Sequence, residues 1–583
     1  MGDLGRKPVT LLQIDLPYCT RTYGTAPCAA VLGTTGAAKC FNSLKTCQDR
    51  TNYEAGTKTL TFGYNQDGNP DIPGVFPALT SVGTRSGELN LSGVDPDASP
   101  LGVTTRVKAV LQDFTNNDTW LDKYQSERVT GAALASGIGY SPIERGHFLA
   151  RTFARFPYYD GTPGRIIRGY VGDDIGDMET ENYVMAELSG PNAGGVVTVT
   201  LKDVFDLAED YYPAVSTGKL GDDITATETE FTFSLADAGD NYAAAGLVRI
   251  GNEIVSYTRA GDAMTIVRGQ EGSTAATHSA GDLVQECGVL LPQSIPEAAE
   301  IILKYGTTAF DAFIPTADWI DENNTWYAGL NIGRVIISKP VKKKTLIGEL
   351  SALGCMFWWL PTDQEIKFRI NAPLLPGQTY YPINDESGLI EGTVDIDNAE
   401  DLRISDIWLY HAVRSWTSDT TASSNFNRLS VATLSVNDYN VDATFEIYTR
   451  WFGREGNDGA ASIITERLLA RYKDTPKVIS GTLDVKDRAA VSLGARVRVE
   501  TYALQDVDGA TIAEPMQVNY AEYTEDRVKF RAETYRIDGQ FAFWLDSATA
   551  PADYASATDA QRAAGAFWGD ADNPDPVTDY VWF

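Results

Sequence analysis

Four cysteines, Cys19, Cys28, Cys40 and Cys47, fall in one stretch, CTRTYGTAPCAAVLGTTGAAKCFNSLKTC, and they are four of only six in 583 residues. The stretch is rich in Gly, Ala and Thr and reads as a loop-rich knob that cannot fold on an apolar core of its own. Eight, eleven and six residues separate successive cysteines. That spacing lacks the C-x2-C knuckle of most structural zinc sites and matches neither common ferredoxin pattern. Four thiolates nevertheless complete the ligand set of a tetrahedral zinc or of a cubane iron–sulfur cluster. The wide loops suit a bulky cluster at least as well as one ion. Two disulfides would lock the same knob, and free thiols are the third reading. Cys287 and Cys355 stand apart beside apolar residues and read as ordinary buried thiols.

Compartment bears on that choice. The opening MGDLGRKPVTLLQIDLPYC holds no apolar run of signal-peptide length, and no segment reaches ~20 apolar residues, so no signal peptide or spanning helix is expected. Synthesis in a cytoplasm follows, where clustered cysteines more often bind metal than pair. The formal charge of −31 argues against ordinary binding to DNA or anionic membranes, which needs basic surface. It keeps a protein soluble, and it repels DNA that must slide past.

At ~100–200 residues per domain the chain should hold about three to five domains. Its 52 glycines and 26 prolines lean towards β structure. KPVTLLQIDL (7–16) and TKTLTFGYN (57–65) read as strands flanking the cysteine knob. LGVTTRVKAVLQDF, GRIIRGYVG and GGVVTVTLKD are further strands, and KDVFDLAEDY is a short helix or turn. Residues 216–288 read as an inserted β module without helices, with a hairpin turn at Gly261–Asp262. A helix over SIPEAAEIILKYG is signalled by Ser294 as N-cap, Pro296, Glu297 for a capping box, and Gly306 after the end. TLIGELSALG and GAASIITERLLARYK give two more. Between them CMFWWLPTDQEIKFRI reads as strand, turn, strand. Four period-2 runs, from KVISGTLDV to RVKFRAETYRI, predict a small barrel or sandwich. The Ala/Asp-rich tail has one helical stretch near 558–566 and ends in DYVWF, which reads as a docking peptide.

The expected fold class is mainly β with a few helices (α+β), with several small barrel or sandwich domains. The domains expected are a cysteine-rich domain (1–75), a β domain (76–215), the inserted module (216–288), an α/β domain (289–400), a β-barrel region with a helix (401–540) and the tail (541–583).

No catalytic constellation emerges. His147, His278 and His411 lie in three different predicted regions and read as structural. H-E-x-x-H, the P-loop pattern and G-x-S-x-G are all lacking. Acidic pairs are too abundant, among 79 acidic residues, to single out a glycosidase-type pair. DVDGATIAE lacks a full calcium loop and reads as a turn at Asp508–Gly509. KPVKKK (339–344) reads as a solvated loop, or as a contact for an acidic partner. No enzyme is expected.

The phrases of the chain do resemble a known family. CTRTYGTAPC…KCFNSLKTCQDRTNY resembles the cysteine segment of tail-tip hub proteins from long, flexible-tailed (siphovirus-type) bacteriophages. FPALTSVGTRSGELNL, PLGVTTRVKAVLQDF and ERGHFLARTFARFPYYDGTPGRIIRGYVG resemble that family's hub domain. VRIGNEIVSYTR…TIVRGQEGSTAATHSAGDLV is similar to a small β module of phage tail proteins. ITERLLARYKDTP and the barrel after it resemble the C-terminal hub region. The resemblance covers most of 1–540. It implies a virion protein at the tail tip, a trimer that closes the tail tube and opens for DNA ejection; the alternative is a tail-tip receptor-binding or cell-wall-degrading protein with a zinc- or disulfide-stapled knob. The implied partners are the distal tail ring, the tape-measure protein, the central fibre or receptor-binding proteins, and the host cell surface; DNA is met only in passage. It also implies a [4Fe-4S] cluster on Cys19, Cys28, Cys40 and Cys47, with zinc as the alternative. The lambda-type hub carries its cluster cysteines towards the C-terminus, whereas here they lie near the start.

Overall fold

The computed structural model describes residues 7–535 except 32–34, 36–39, 65–73, 96–100, 105, 122–142, 145, 373, 375–377, 387, 485–486, 488 and 525–526; beyond 535 it describes 558, 567–568 and 581–582. The protein is mainly β with a few helices, as its alternating runs predict. It divides into two compact units that interleave along the chain. Unit 1 takes residues 1–85, 104–207 and 359–365, and unit 2 the remainder.

Unit 1 is built on a closed seven-stranded barrel. Its strands are β1 (Pro8–Cys19), β2 (Ala55–Tyr64), β3 (Val75–Val82), β4 (Val107–Gln112), β5 (Pro163–Tyr170), β6 (Glu179–Ser189) and β7 (Val196–Lys202). They close in the order β1-β2-β3-β4-β7-β6-β5. β2 and β3 run parallel, and the other neighbours run antiparallel. Closure removes the open edges on which a sheet would otherwise aggregate. Alternation fills the inside: Leu12, Ile14 and Leu16 meet Val107, Ala109 and Leu111, and Val197, Val199 and Leu201, in one core. The other face of β1 is covered too, because Val9 and Leu11 pack with Ile167 and Met178.

A short helix, α1 (Phe148–Arg155), adds Phe148 to this core, its ring 4.9 Å from Phe76 and 5.1 Å from Phe114. The residue before it, His147, makes no side-chain cap. Asp113 caps it from a distance instead, accepting from the Leu149 and Ala150 N–H groups at 2.7 and 3.1 Å. A carboxylate there satisfies orphan donors and meets the positive end of the helix dipole. The division expected at 75/76 therefore runs through one barrel rather than between two domains. β1 and β2 need β3 and β5 to close.

In unit 2 the inserted module is a five-stranded antiparallel sheet. Its strands are β8 (Glu230–Thr232), β9 (Ala245–Ile250), β10 (Glu253–Ala260), β11 (Ala263–Val267) and β12 (Val284–Glu286), in the order β8-β11-β10-β9-β12. It has its own core of Val248, Ile250, Val255, Tyr257, Ile266 and neighbours. The two-residue turn sits at Gly261–Asp262, where Gly261 takes φ +62°, a conformation that favours glycine. Ser216 and Glu286 bond to each other where the chain enters and leaves (3.0 Å), as an insertion requires.

The helices α2 (Ile295–Lys304), α3 (Thr316–Trp326) and α4 (Lys343–Ser351) follow. α2 carries the full capping box between Ser294 and Glu297. The KPVKKK run is not a solvated loop. Lys343 is 1% exposed and donates to the Leu303 and Tyr305 carbonyls, capping the C-terminal end of α2. Lys342 pairs with Glu209.

A three-stranded sheet sets β15 (Asp406–Val413) between β16 (Phe426–Thr433) and β17 (Thr444–Tyr448), counting β13 (Tyr381–Asn384) and β14 (Asp395–Asn398) before it. The last helix, α5 (Asp458–Tyr472), leads into β18 (Lys477–Asp484), β19 (Arg496–Gln505), β20 (Thr511–Tyr523) and β21 (Arg527–Thr534). These four do not close into a barrel. They join an eight-stranded sheet whose main path is β13-β19-β20-β21-β18-β14. The helix expected near 558–566 lies outside the described residues.

Candidate functional site

β1 and β2 form the hairpin from which the cysteine knob hangs, in a register that ends with Cys19 opposite Ala55. Beyond Cys19 regular pairing stops, and the knob is built from turns and two short 3-10 helices (Leu44–Thr46 and Arg50–Asn52). Polar clips replace an apolar core. Asn42 takes φ +58°, which asparagine tolerates better than most residues, and its side chain donates to the Cys19 and Arg21 carbonyls at 2.9 and 3.0 Å. The Cys19 N–H returns a bond to the Asn42 carbonyl at 2.7 Å. Asp49 accepts from the Ala29 N–H at 2.8 Å and from Asn52, while Gln48 accepts from Tyr23 and Thr35. Ser43 caps the first 3-10 helix, whose end is Cys47. Phe41 lies under the guanidinium of Arg155 at 3.9 Å, and Arg155 is paired with Asp118.

These clips bring all four cysteines to the wall of one small cavity of about 20 Å³, part of it open to solvent. Arg21, Asn42, Asp49 and Tyr53 also line it. None of the six cysteines is paired in a disulfide. Among the described residues no three His, Cys, Asp or Glu side chains stand close enough to hold a single metal ion. The four cysteines line a common space.

Burial pushes the Cys40 thiol up to about 11, opposed by the Asn42 N–H that reaches its sulfur at 3.3 Å and reinforced by Cys47, Cys19 and Cys28. Cys47 is raised as well, first by burial and then by its cysteine neighbours, against an N–H bond from Asp49. Four thiols around one cavity are a donor set that could hold a cationic centre, since its charge would draw off their protons. Tyr53 is pushed up to about 12 by burial and by Cys19, Cys47 and Cys40. Three buried polar atoms in the cavity wall have no partner: Tyr53 Oη, Arg21 Nε and Asn42 Oδ1. A site that leaves donors unsatisfied is shaped for a group with acceptors. Four thiols and two unpartnered donors around one cavity are groups that a thiolate-held centre could use.

The remaining sequence candidates lie elsewhere. Cys287 and Cys355 are buried, and burial pushes Cys287 up to about 12. His278 bonds buried Glu253 at 2.9 Å, and His411 is fully buried beside Ser430 and Phe452. No histidine lines the cysteine cavity. At Asp508–Gly509, Gly509 takes φ +83° and Asp506 accepts from the Asp508 and Ala510 N–H groups, which makes a turn. Sequence reasoning did not single out Arg21, Asn42 or Tyr53. Their only signal was adjacency to the cysteines in CTR, CFN and DRTNY.

No family model and no curated protein matches the chain. Among solved structures the chain is similar to a tail protein from Neisseria meningitidis MC58 (10% identity, 65% of this chain, 85% of that one, TM-score 0.34). It is similar also to prophage tail protein gp18 from Listeria monocytogenes EGD-e (10%, 78% and 89%, TM-score 0.33). A third is the 43 kDa tail protein of prophage MuSo2 from Shewanella oneidensis (9%, 79% and 98%, TM-score 0.36). At such identities and scores, no residue role passes from those proteins to this chain.

Proposed function

We propose that this chain is a structural hub protein of a phage tail tip, made in the host cytoplasm and carried in the virion. The observation that carries the reading is the family resemblance of its phrases across most of 1–540. A scaffold role is supported by a closed barrel and by sheets with dedicated cores. The hub is a trimer that closes the tail tube, joins the distal tail ring to the central fibre, and opens for DNA ejection. A strongly acidic subunit suits a passage for DNA, because phosphates are repelled rather than neutralised. It catalyses no reaction.

Cys19, Cys28, Cys40 and Cys47 hold a [4Fe-4S] cluster in this reading. Support comes from four thiols that line one cavity. When bound, the cluster supplies a covalent staple and a one-electron redox centre. The chain's own residues orient the thiols: Asn42 ties the Cys40 loop to the end of β1, and Ser43 sets the turn that presents Cys47.

Two experiments test these claims. Virions made without the chain should lack a closed tip and fail to eject, with the chain found in purified wild-type tails; complete, infectious particles without it would end the hub reading. Anaerobic purification should give a brown protein with about four irons per chain. One zinc, or two disulfides, would end the cluster reading and leave the hub reading standing.

A further inference from the structure

The cavity wall carries more than its four thiols. Tyr53 Oη and Arg21 Nε are both buried, and neither has a partner. Burying a donor without an acceptor costs on the order of 1–3 kcal/mol, so two around one small cavity call for an explanation. Arg21 is fixed from its outer side, where its Nη2 pairs with Glu54 at 3.1 Å. Its Nε is buried without a partner, on a residue that lines the cavity. Tyr53 stands at the end of the second 3-10 helix, two residues before β2 begins, so its ring is anchored to the barrel hairpin. Asn42 Oδ1, the third orphan, is an acceptor and can give nothing to a sulfur.

Sulfurs of a thiolate-held cluster are acceptors and carry its negative charge. We propose that Tyr53 Oη–H and Arg21 Nε–H donate hydrogen bonds to the sulfurs of the group held by Cys19, Cys28, Cys40 and Cys47, and so set its reduction potential and its hold on iron. This rests on the iron–sulfur reading. Donors and a positive charge beside sulfur favour the more negative, reduced state, so they raise the potential. Tyr53 and Arg21 are positioning residues, which shape the group without ligating it.

The test uses the full chain, purified anaerobically as wild type, Tyr53→Phe and Arg21→Lys. Arg21→Lys keeps the charge that faces Glu54 and removes Nε–H. Iron and sulfide content, midpoint potential and the rate of iron release to a chelator are measured for each. The expected result is full iron in all three, a lower potential in both variants, and about tenfold faster iron release. Full iron with unchanged potential and release in both variants would overturn this inference and leave the cluster reading intact. A wild type without iron would overturn the cluster reading and this inference with it, and the wild type alone decides that. Should Tyr53→Phe fail to fold, as circular dichroism shows directly, the half-exposed Arg21 decides through Arg21→Lys.

Discussion

Glu253 shows at the residue scale how this acidic protein handles a buried charge. Its carboxylate is fully enclosed and accepts from Arg268, His278 and the Gly269 and Ala276 N–H groups. Burial would raise its pKa, but these donors outweigh burial and hold it at about 2, against an ordinary 4.5. The unfolded chain therefore binds the proton first on acidification. The stabilisation is complete above pH 4.5 and drains as pH falls towards 2. Glu253→Gln should cost the module about 3 kcal/mol at pH 7 and flatten that acid dependence, read by melting at pH 7, 4 and 3. Asn42→Ala should loosen the knob by about 1–3 kcal/mol, because it removes two bonds to backbone carbonyls, that of Cys19 buried; urea unfolding would measure it. The cysteines were legible by number alone, since four thiols in a coreless stretch have few uses. Asn42 and Glu253 were not. Their importance lies in backbone atoms brought together across distant loops, which no local pattern records.

Among elements, legibility followed periodicity and caps. α2 announced itself through Ser294 and Glu297, and both halves of the box form. Ser294→Ala should destabilise unit 2 by about 1 kcal/mol in thermal melts, and Ser294→Asp should restore most of it. Five of the seven barrel strands were legible because their apolar residues alternate; β3 and β6 were not singled out. α3 was missed because its buried face is only Trp319, Asn323 and Trp326, a pattern without an aliphatic stripe. α1 was missed because its cap, Asp113, lies 35 residues upstream of Phe148 rather than beside it. The last four strands alternate as well in an open sheet as in a barrel, so alternation could not decide between them. Lys343 read as solvated because a buried lysine is rare; the α2 carbonyls it caps are set by tertiary packing.

For the whole molecule, charge and connectivity dominate. A formal charge of −31 makes the folded chain repel itself, so its melting temperature should rise as salt is raised from about 10 to 150 mM; a flat response would mean that local pairing already offsets the excess. The interleaving of the units was invisible in the sequence, since no composition shift marks the crossings at 85/86, 103/104, 207/208, 358/359 and 365/366. The closure of the barrel also imposes an order in time. β1, which ends in Cys19, pairs with β5, and the ring is complete only with β7 at Val196–Lys202. During synthesis all four thiols leave the ribosome while those strands are still unmade, an interval of roughly 10–30 s at ~5–20 residues per second. For that interval the knob hangs on an unclosed hairpin, open to whatever delivers or oxidises sulfur ligands. If the thiols take up a metal group as proposed, its loading competes in time with closure of the barrel behind them.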